Sequence, residues 1–142
     1  MSDAPAAGRS TLRTDADRAD ADLRGRTYAI PFDVVWTAAL ALASGGLPRW
    51  TLASADDQTG RIDARVVGVM VKMPATVRVA ITLDFNAQTR VDLTVTPDRR
   101  GPDLGAARRR VRRFIRALDG GINASPATIL DGRSRVAPRG PE

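Results

Sequence analysis

The stretch Thr76-Val77-Arg78-Val79-Ala80-Ile81-Thr82-Leu83-Asp84-Phe85 decides how the rest of the chain is read. Val77, Val79, Ile81, Leu83 and Phe85 alternate without error against Thr76, Arg78, Ala80, Thr82 and Asp84. A period of two marks a strand with one face in a core. After the turn Asn86–Thr89 the alternation resumes, with Val91, Leu93 and Val95 inward and Arg90, Asp92, Thr94 and Thr96 outward. Polar outer positions on neighbouring strands mean that one side of the sheet meets water, which antiparallel sheets allow and buried parallel sheets do not.

Upstream, Ile62, Ala64 and Val66 share one face of an earlier strand and Val67, Val69 and Val71 the other, so a bulge is expected near Gly68 before Pro74 breaks the run. Asp56-Asp57-Gln58-Thr59-Gly60 is turn chemistry and closes a hairpin with Arg49–Ala55, in which Trp50, Leu52 and Ser54 are read on one side. Before that, Phe32, Val35, Trp36, Ala39, Leu40 and Ala43 recur at helical spacing behind Pro31, with Asp33 in the first turn. Gly45, Gly46 and Pro48 end this helix. Arg26–Ile30 reads as a short first strand with Tyr28 and Ile30 on one face.

Downstream, Leu104, Ala107, Val111, Phe114, Ile115 and Leu118 fall within an arc of about 100° on a helical wheel. Arg108, Arg109, Arg110, Arg112, Arg113 and Arg116 fill the opposite side, and Asp103 suits the cap or first turn. The element order is β-α-β-β-β-β-α: an α+β fold, an antiparallel sheet packed on two helices.

Composition sets the limits of this domain. Residues 1–25 carry only Met1, Leu12 and Leu23 as large apolar side chains, and 120–142 only Ile122, Ile129, Leu130 and Val136. Such segments bury too little to offset the entropy of ordering, roughly 1–2 kcal/mol per residue. The expectation is a disordered N-terminal tail over 1–25, one α+β domain over 26–119 and a flexible C-terminal tail over 120–142. No secretory signal or membrane-spanning run is read, and cytoplasmic localisation is the expectation.

The chain has no Cys and no His, which removes disulfides, thiolate metal sites, cysteine nucleophiles and the commonest general base. No metal site and no cofactor are expected. Gly60, Gly101 and Gly105 form no phosphate-cradling spacing, and no catalytic residue is assigned. Asp56, Asp57 and Asp63 read as hairpin-turn residues, Asp84 and Asp92 as cross-strand partners of Arg78 and Arg90, and Trp36 and Trp50 as core. Net charge is +6, and all but one of the 22 basic residues are Arg. Asp is abundant as well, the pattern of GC-rich coding rather than of nucleic-acid binding alone. Candidate anion- or partner-binding residues are Arg100, Arg108, Arg109, Arg112, Arg113 and Arg116, because guanidinium forks grip oxyanions.

Arg100-Gly101-Pro102-Asp103-Leu104-Gly105, followed by Arg110-Val111 and Phe114, resembles the closing motif of a bacterial domain-of-unknown-function family, R-x-G-R-S-D-L-G-x-N-x-x-R-I. The motif residues carried over are Arg100, Asp103, Leu104, Gly105 and Arg110. Trp50-Thr51-Leu52, Gly60-Arg61-Ile62-Asp63-Ala64 and Thr89-Arg90-Val91-Asp92 match its upstream pattern, so the likeness covers nearly all of Tyr28–Leu118. Gly101-Pro102 replaces the motif's Arg-Ser, Ala107 its Asn, and Met73-Pro74-Ala75-Thr76 an expected Phe-x-Asp-Asp. The resemblance implies the fold and no biochemical role. Ile30-Pro31-Phe32-Asp33-Val34-Val35-Trp36 and Pro48-Arg49-Trp50 are also similar to segments of helix-grip proteins, which hold an apolar ligand between sheet and helix. Three functions follow as expectations: a non-enzymatic binding or assembly module with a protein partner, a carrier of a small apolar ligand, or a basic nucleic-acid-associated protein.

Overall fold

The alternating segment forms the centre of the sheet. In the computed structural model, which describes residues 11–15, 18, 23–68, 74–84, 86–98 and 104–130, β5 (Ala75–Leu83) pairs along its whole length with β6 (Thr89–Pro97). On its other side β5 pairs with β4 (Arg61–Val66), and β4 with β3 (Trp50–Asp56). Three short strands complete the sheet. β1 (Leu12–Arg13) and β2 (Arg26–Tyr28) both pair with β6, and β7 (Ile129–Leu130) pairs with β2. All pairings are antiparallel, and the order is β3-β4-β5-β6-β2-β7 with β1 beside β6.

Two helices cover one face of this sheet. α1 (Phe32–Ala41) packs over β5, α2 (Leu104–Gly121) over β6, and the helices touch each other. Pro31 stands at the entry to α1, its carbonyl accepting the amides of Val34 and Val35 at 3.2 Å. Beyond Ala41 the helix widens into one looser turn over Leu42–Gly46, closed by Leu47 N–H to Leu42 C=O at 3.1 Å. Past the end of α2 the chain turns away at Asn123, whose left-handed φ of 52° an Asn side chain tolerates.

The core lies between these layers. Ile62, Ala64, Val66, Val77, Val79, Ile81, Val91, Leu93 and Val95 rise from the sheet to meet Val35, Ala39 and Ala43 of the first helical segment. From α2 come Ala107, Val111, Phe114, Ile115 and Leu118. Phe114 stacks on the buried Trp50 with ring centroids 5.4 Å apart, so the hairpin and the closing helix share an aromatic joint. The molecule is thus one α+β domain, an antiparallel sheet on two helices.

Several local expectations are corrected. A bulge lies in β3, between Leu52 and Ser54, so Ser54 leaves the face of Trp50 and Leu52 and sits opposite Asp63. An extra residue reverses the side-chain phase, and Ser54 Oγ then reaches Asp63 Oδ2 at 3.2 Å. Asp63 is consequently a strand residue with ion-pair partners, not a turn residue. Near Gly68, β4 ends at Val66, and Val69 and Val71 lie outside the described residues. Leu83, on the inward phase, is 60% exposed because it lies at the far end of β5. Phe85 is outside the described residues. Trp36 is half-buried at the core margin, stacked on Phe32 at 5.9 Å.

The folded structure also reaches beyond 26–119 on both sides. Leu12 and Leu23, the large apolar residues of that N-terminal stretch other than Met1, are buried in the core. At the other end Ile122 and Ile129 pack against the core and Ile129–Leu130 forms β7. Val136 lies outside the described residues.

Candidate functional site

Ten residues of β1, β2 and β6 register as one interrupted line: Leu12↔Val95 and Arg13↔Thr94, then Arg26↔Val91, Thr27↔Arg90 and Tyr28↔Thr89. Thr14 continues the first part, its N–H donating to Leu93 C=O at 2.9 Å and its Oγ accepting Leu93 N–H at 3.0 Å. Asp15 N–H to Leu23 C=O (2.9 Å) closes the excursion between the two pieces. The buried Arg90 guanidinium holds this junction. It forks onto Asp92 (Nε–Oδ2 3.0 Å, Nη2–Oδ1 2.7 Å), donates to Thr27 Oγ1 at 3.1 Å, and reaches the Arg24 carbonyl. Thr14 Oγ1 donates to Asp92 Oδ1 at 2.7 Å. Gly25 passes at φ 74°, where a Cβ would strike Asp92 Oδ1 and the Val91 carbonyl. Arg90 is therefore a latch for the N-terminal segment, with Asp92 on its own strand as partner. The expected cross-strand, solvent-facing role does not apply to it.

The open face of the sheet uses its other arginines in the same self-contained way. Arg65 forks onto Asp98 (2.8 and 2.6 Å) and donates to Thr76 Oγ1 at 2.9 Å. The Asp98 hydrogen bond raises the Arg65 pKa further above its ordinary value. Arg78 Nε donates to Asp63 Oδ1 at 2.8 Å, and Arg61 lies 3.8 Å from the other oxygen. Arg78 thus pairs with Asp63 of β4 rather than with Asp84. Each such exposed pair contributes at most about 1 kcal/mol. Their larger effect here is that the cations on this face are met by carboxylates of the same face.

At the seam between β2 and α2, Tyr28 OH donates to Asp119 Oδ1 at 2.6 Å and Arg26 Nη2 to Asp119 Oδ2 at 2.8 Å. Burial and the Asp119 carboxylate push the Tyr28 pKa strongly upward, so the phenol stays protonated. The carboxylate near the C-terminal end of α2 is thereby turned toward the sheet.

The outer face of α2 contrasts with this. Arg109, Arg113 and Arg116, spaced i, i+4, i+7, are exposed on one stripe. Arg108, Arg110 and Arg112 flank them, half-buried and each engaged in an interaction of its own. Of the candidates from the sequence, the structure brings Arg109, Arg113 and Arg116 together with Arg108 and Arg112 beside them. Arg100 and Asp103 lie outside the described residues. Gly105 is exposed in the first turn of α2 with Arg109 Nη1 near it, and Leu104 opens the helix. The latch residues Arg90, Asp92 and Thr14 were not legible as a group, because the alternation of β6 assigns Arg90 to solvent and nothing in residues 1–25 announces a strand.

Among the described residues no three carboxylates gather as a metal ion requires, and no helix is long and apolar enough to cross a membrane. No family model matches the chain, and no curated protein matches it.

Proposed function

We propose that this domain is a non-enzymatic binding module that docks an acidic protein partner on the outer face of α2 through Arg109, Arg113 and Arg116. The observation that carries this reading is the division of the arginines. Those of the sheet face and the seam (Arg26, Arg61, Arg65, Arg78, Arg90) are matched to Asp119, Asp63, Asp98 and Asp92. Arg109, Arg113 and Arg116 stand exposed on a helix whose one acidic residue, Asp119, is turned to Tyr28 and Arg26. Three guanidiniums in a row suit carboxylates presented at helical or extended spacing.

A protein partner is favoured over nucleic acid because no aromatic side chain accompanies the stripe for base stacking, and α2's Phe114 is buried against Trp50. An apolar-ligand carrier is less well supported, since Tyr28, Val35, Phe114 and Leu118 occupy the space between the layers. The lack of Cys fits a reducing compartment such as the cytoplasm.

Titration with polyglutamate tests the reading. The native chain is expected to bind it in a salt-sensitive way, and the Arg109→Gln/Arg113→Gln/Arg116→Gln variant to lose about tenfold or more in affinity. Unchanged binding by that variant removes the stripe from consideration. Tighter, stripe-dependent binding of duplex DNA would move the assignment to nucleic acid.

A further inference from the structure

The free edge of the sheet carries an inference independent of the α2 face. Among the described residues β3 ends the strand order, and every residue from Thr51 to Thr59 is exposed. An edge strand presents a row of backbone donors and acceptors, and proteins ordinarily blunt it with lysine, proline, inward charge, a bulge, extreme shortness or a covering segment. At the opposite margin β7 is two residues long. β3 is seven residues long, and Thr51-Leu52-Ala53-Ser54-Ala55 contains no charge and no proline. Of these devices it carries one, the bulge at Ala53, which twists the middle of the strand but leaves both flanking halves neutral and open. Leu52, on the helix side of the sheet, is 36% exposed.

The charges flanking this neutral stretch identify the occupant. Exposed Arg49 stands at its start, and exposed Asp56 and Asp57 at its end. With a net charge of +6, two copies of the chain repel each other over most orientations. An antiparallel approach of two β3 edges reverses that locally. It sets the cationic end of each against the anionic end of the other, the self-complementary arrangement a two-fold interface requires. We propose that β3 pairs antiparallel with β3 of a second copy of this chain, continuing the sheet across a dimer and placing Arg49 of each copy against Asp56 and Asp57 of the other.

The absence of cysteine in the native sequence makes the test clean. Ala53→Cys at the centre of β3 is expected to form a disulfide-linked dimer on mild oxidation, whereas Ser125→Cys, exposed near β7, is not. In sedimentation velocity the native chain is expected as a dimer that dissociates on dilution. Arg49→Asp and Asp57→Arg should each weaken it about tenfold, and the double exchange should restore it. These two positions flank the strand in turns, so they report on the interface even if the cysteine variant fails to fold. A native chain that stays monomeric up to about 1 mM overturns the proposal. So does a dimer indifferent to both single reversals, or one that cross-links equally through Ser125→Cys.

Discussion

Tyr28 shows how one hydrogen bond ties chemistry to stability. It is the chain's single tyrosine, fully buried, with its hydroxyl on the Asp119 carboxylate. Its ordinary pKa is 10.0, and in the fold burial and the neighbouring anion raise it. The unfolded chain therefore releases this proton near pH 10 while the folded chain keeps it. Above that pH the unfolded state binds fewer protons, so stability falls as pH rises; below it the contribution is complete. Urea titrations at increasing pH are expected to show this decline above pH 10, with tyrosinate absorbance appearing only on unfolding. Tyr28→Phe should abolish the Tyr-linked decline and cost about 1.5–3 kcal/mol at neutral pH, as expected for a hydrogen bond to a charged group. At Arg90 the expectation is steeper. Arg90→Ala strips a buried partner from Asp92 and unties Thr27 and Arg24, a loss of about 3 kcal/mol. Arg90→Lys should not rescue it, because an ammonium cannot reproduce the fork. Hydrogen exchange at Thr14 and Leu93 would report the loosened N-terminal segment directly.

At the scale of elements, the closing helix and the central hairpin are the firmest units. Four large buried side chains of α2, Val111, Phe114, Ile115 and Leu118, each contribute about 1.5–3 kcal/mol by leaving water. Phe114→Ala should cost about 3–5 kcal/mol and alter Trp50 fluorescence, since it empties the stack beneath the indole. In the β3–β4 turn, Gly60 sits at φ 71° with its carbonyl on Ile81 N–H, and a Cβ there would collide with the Ile81 carbonyl. Gly60→Ala is expected to destabilise the hairpin measurably by chemical denaturation. These elements were legible because their periodicity is long and clean: β5 and β6 alternate over nine residues each, and α2 holds one apolar stripe. What was not legible has a common cause. β1 and β7 are two residues long, too short for any period to show. They exist because Leu12, Leu23 and Ile129 find tertiary partners, and because Arg90 and Thr14 satisfy the backbone there. The bulge in β3 escaped for a similar reason, since one inserted residue in Leu52-Ala53-Ser54 looks like uninterrupted alternation until Asp63 stands opposite.

Over the whole molecule, charge is sorted by face. The open side of the sheet joins its arginines to aspartates in forks and shared pairs, so its field is largely cancelled at short range. α2 directs its single carboxylate to the seam and Arg109, Arg113 and Arg116 outward. The arginine helix was visible in the sequence as a strip of six; the structure narrows it to a stripe of three exposed side chains with engaged neighbours. That sorting yields an expectation that overall charge alone does not. Two triple variants, Arg109→Gln/Arg113→Gln/Arg116→Gln on the helix and Arg61→Gln/Arg65→Gln/Arg78→Gln on the sheet, remove the same charge from the same domain. Polyglutamate affinity measured across a salt series, with folding checked by circular dichroism, compares them directly. The helix variant is expected to lose affinity and flatten the salt dependence while the sheet variant stays close to native. Equal losses in both variants would contradict that expectation.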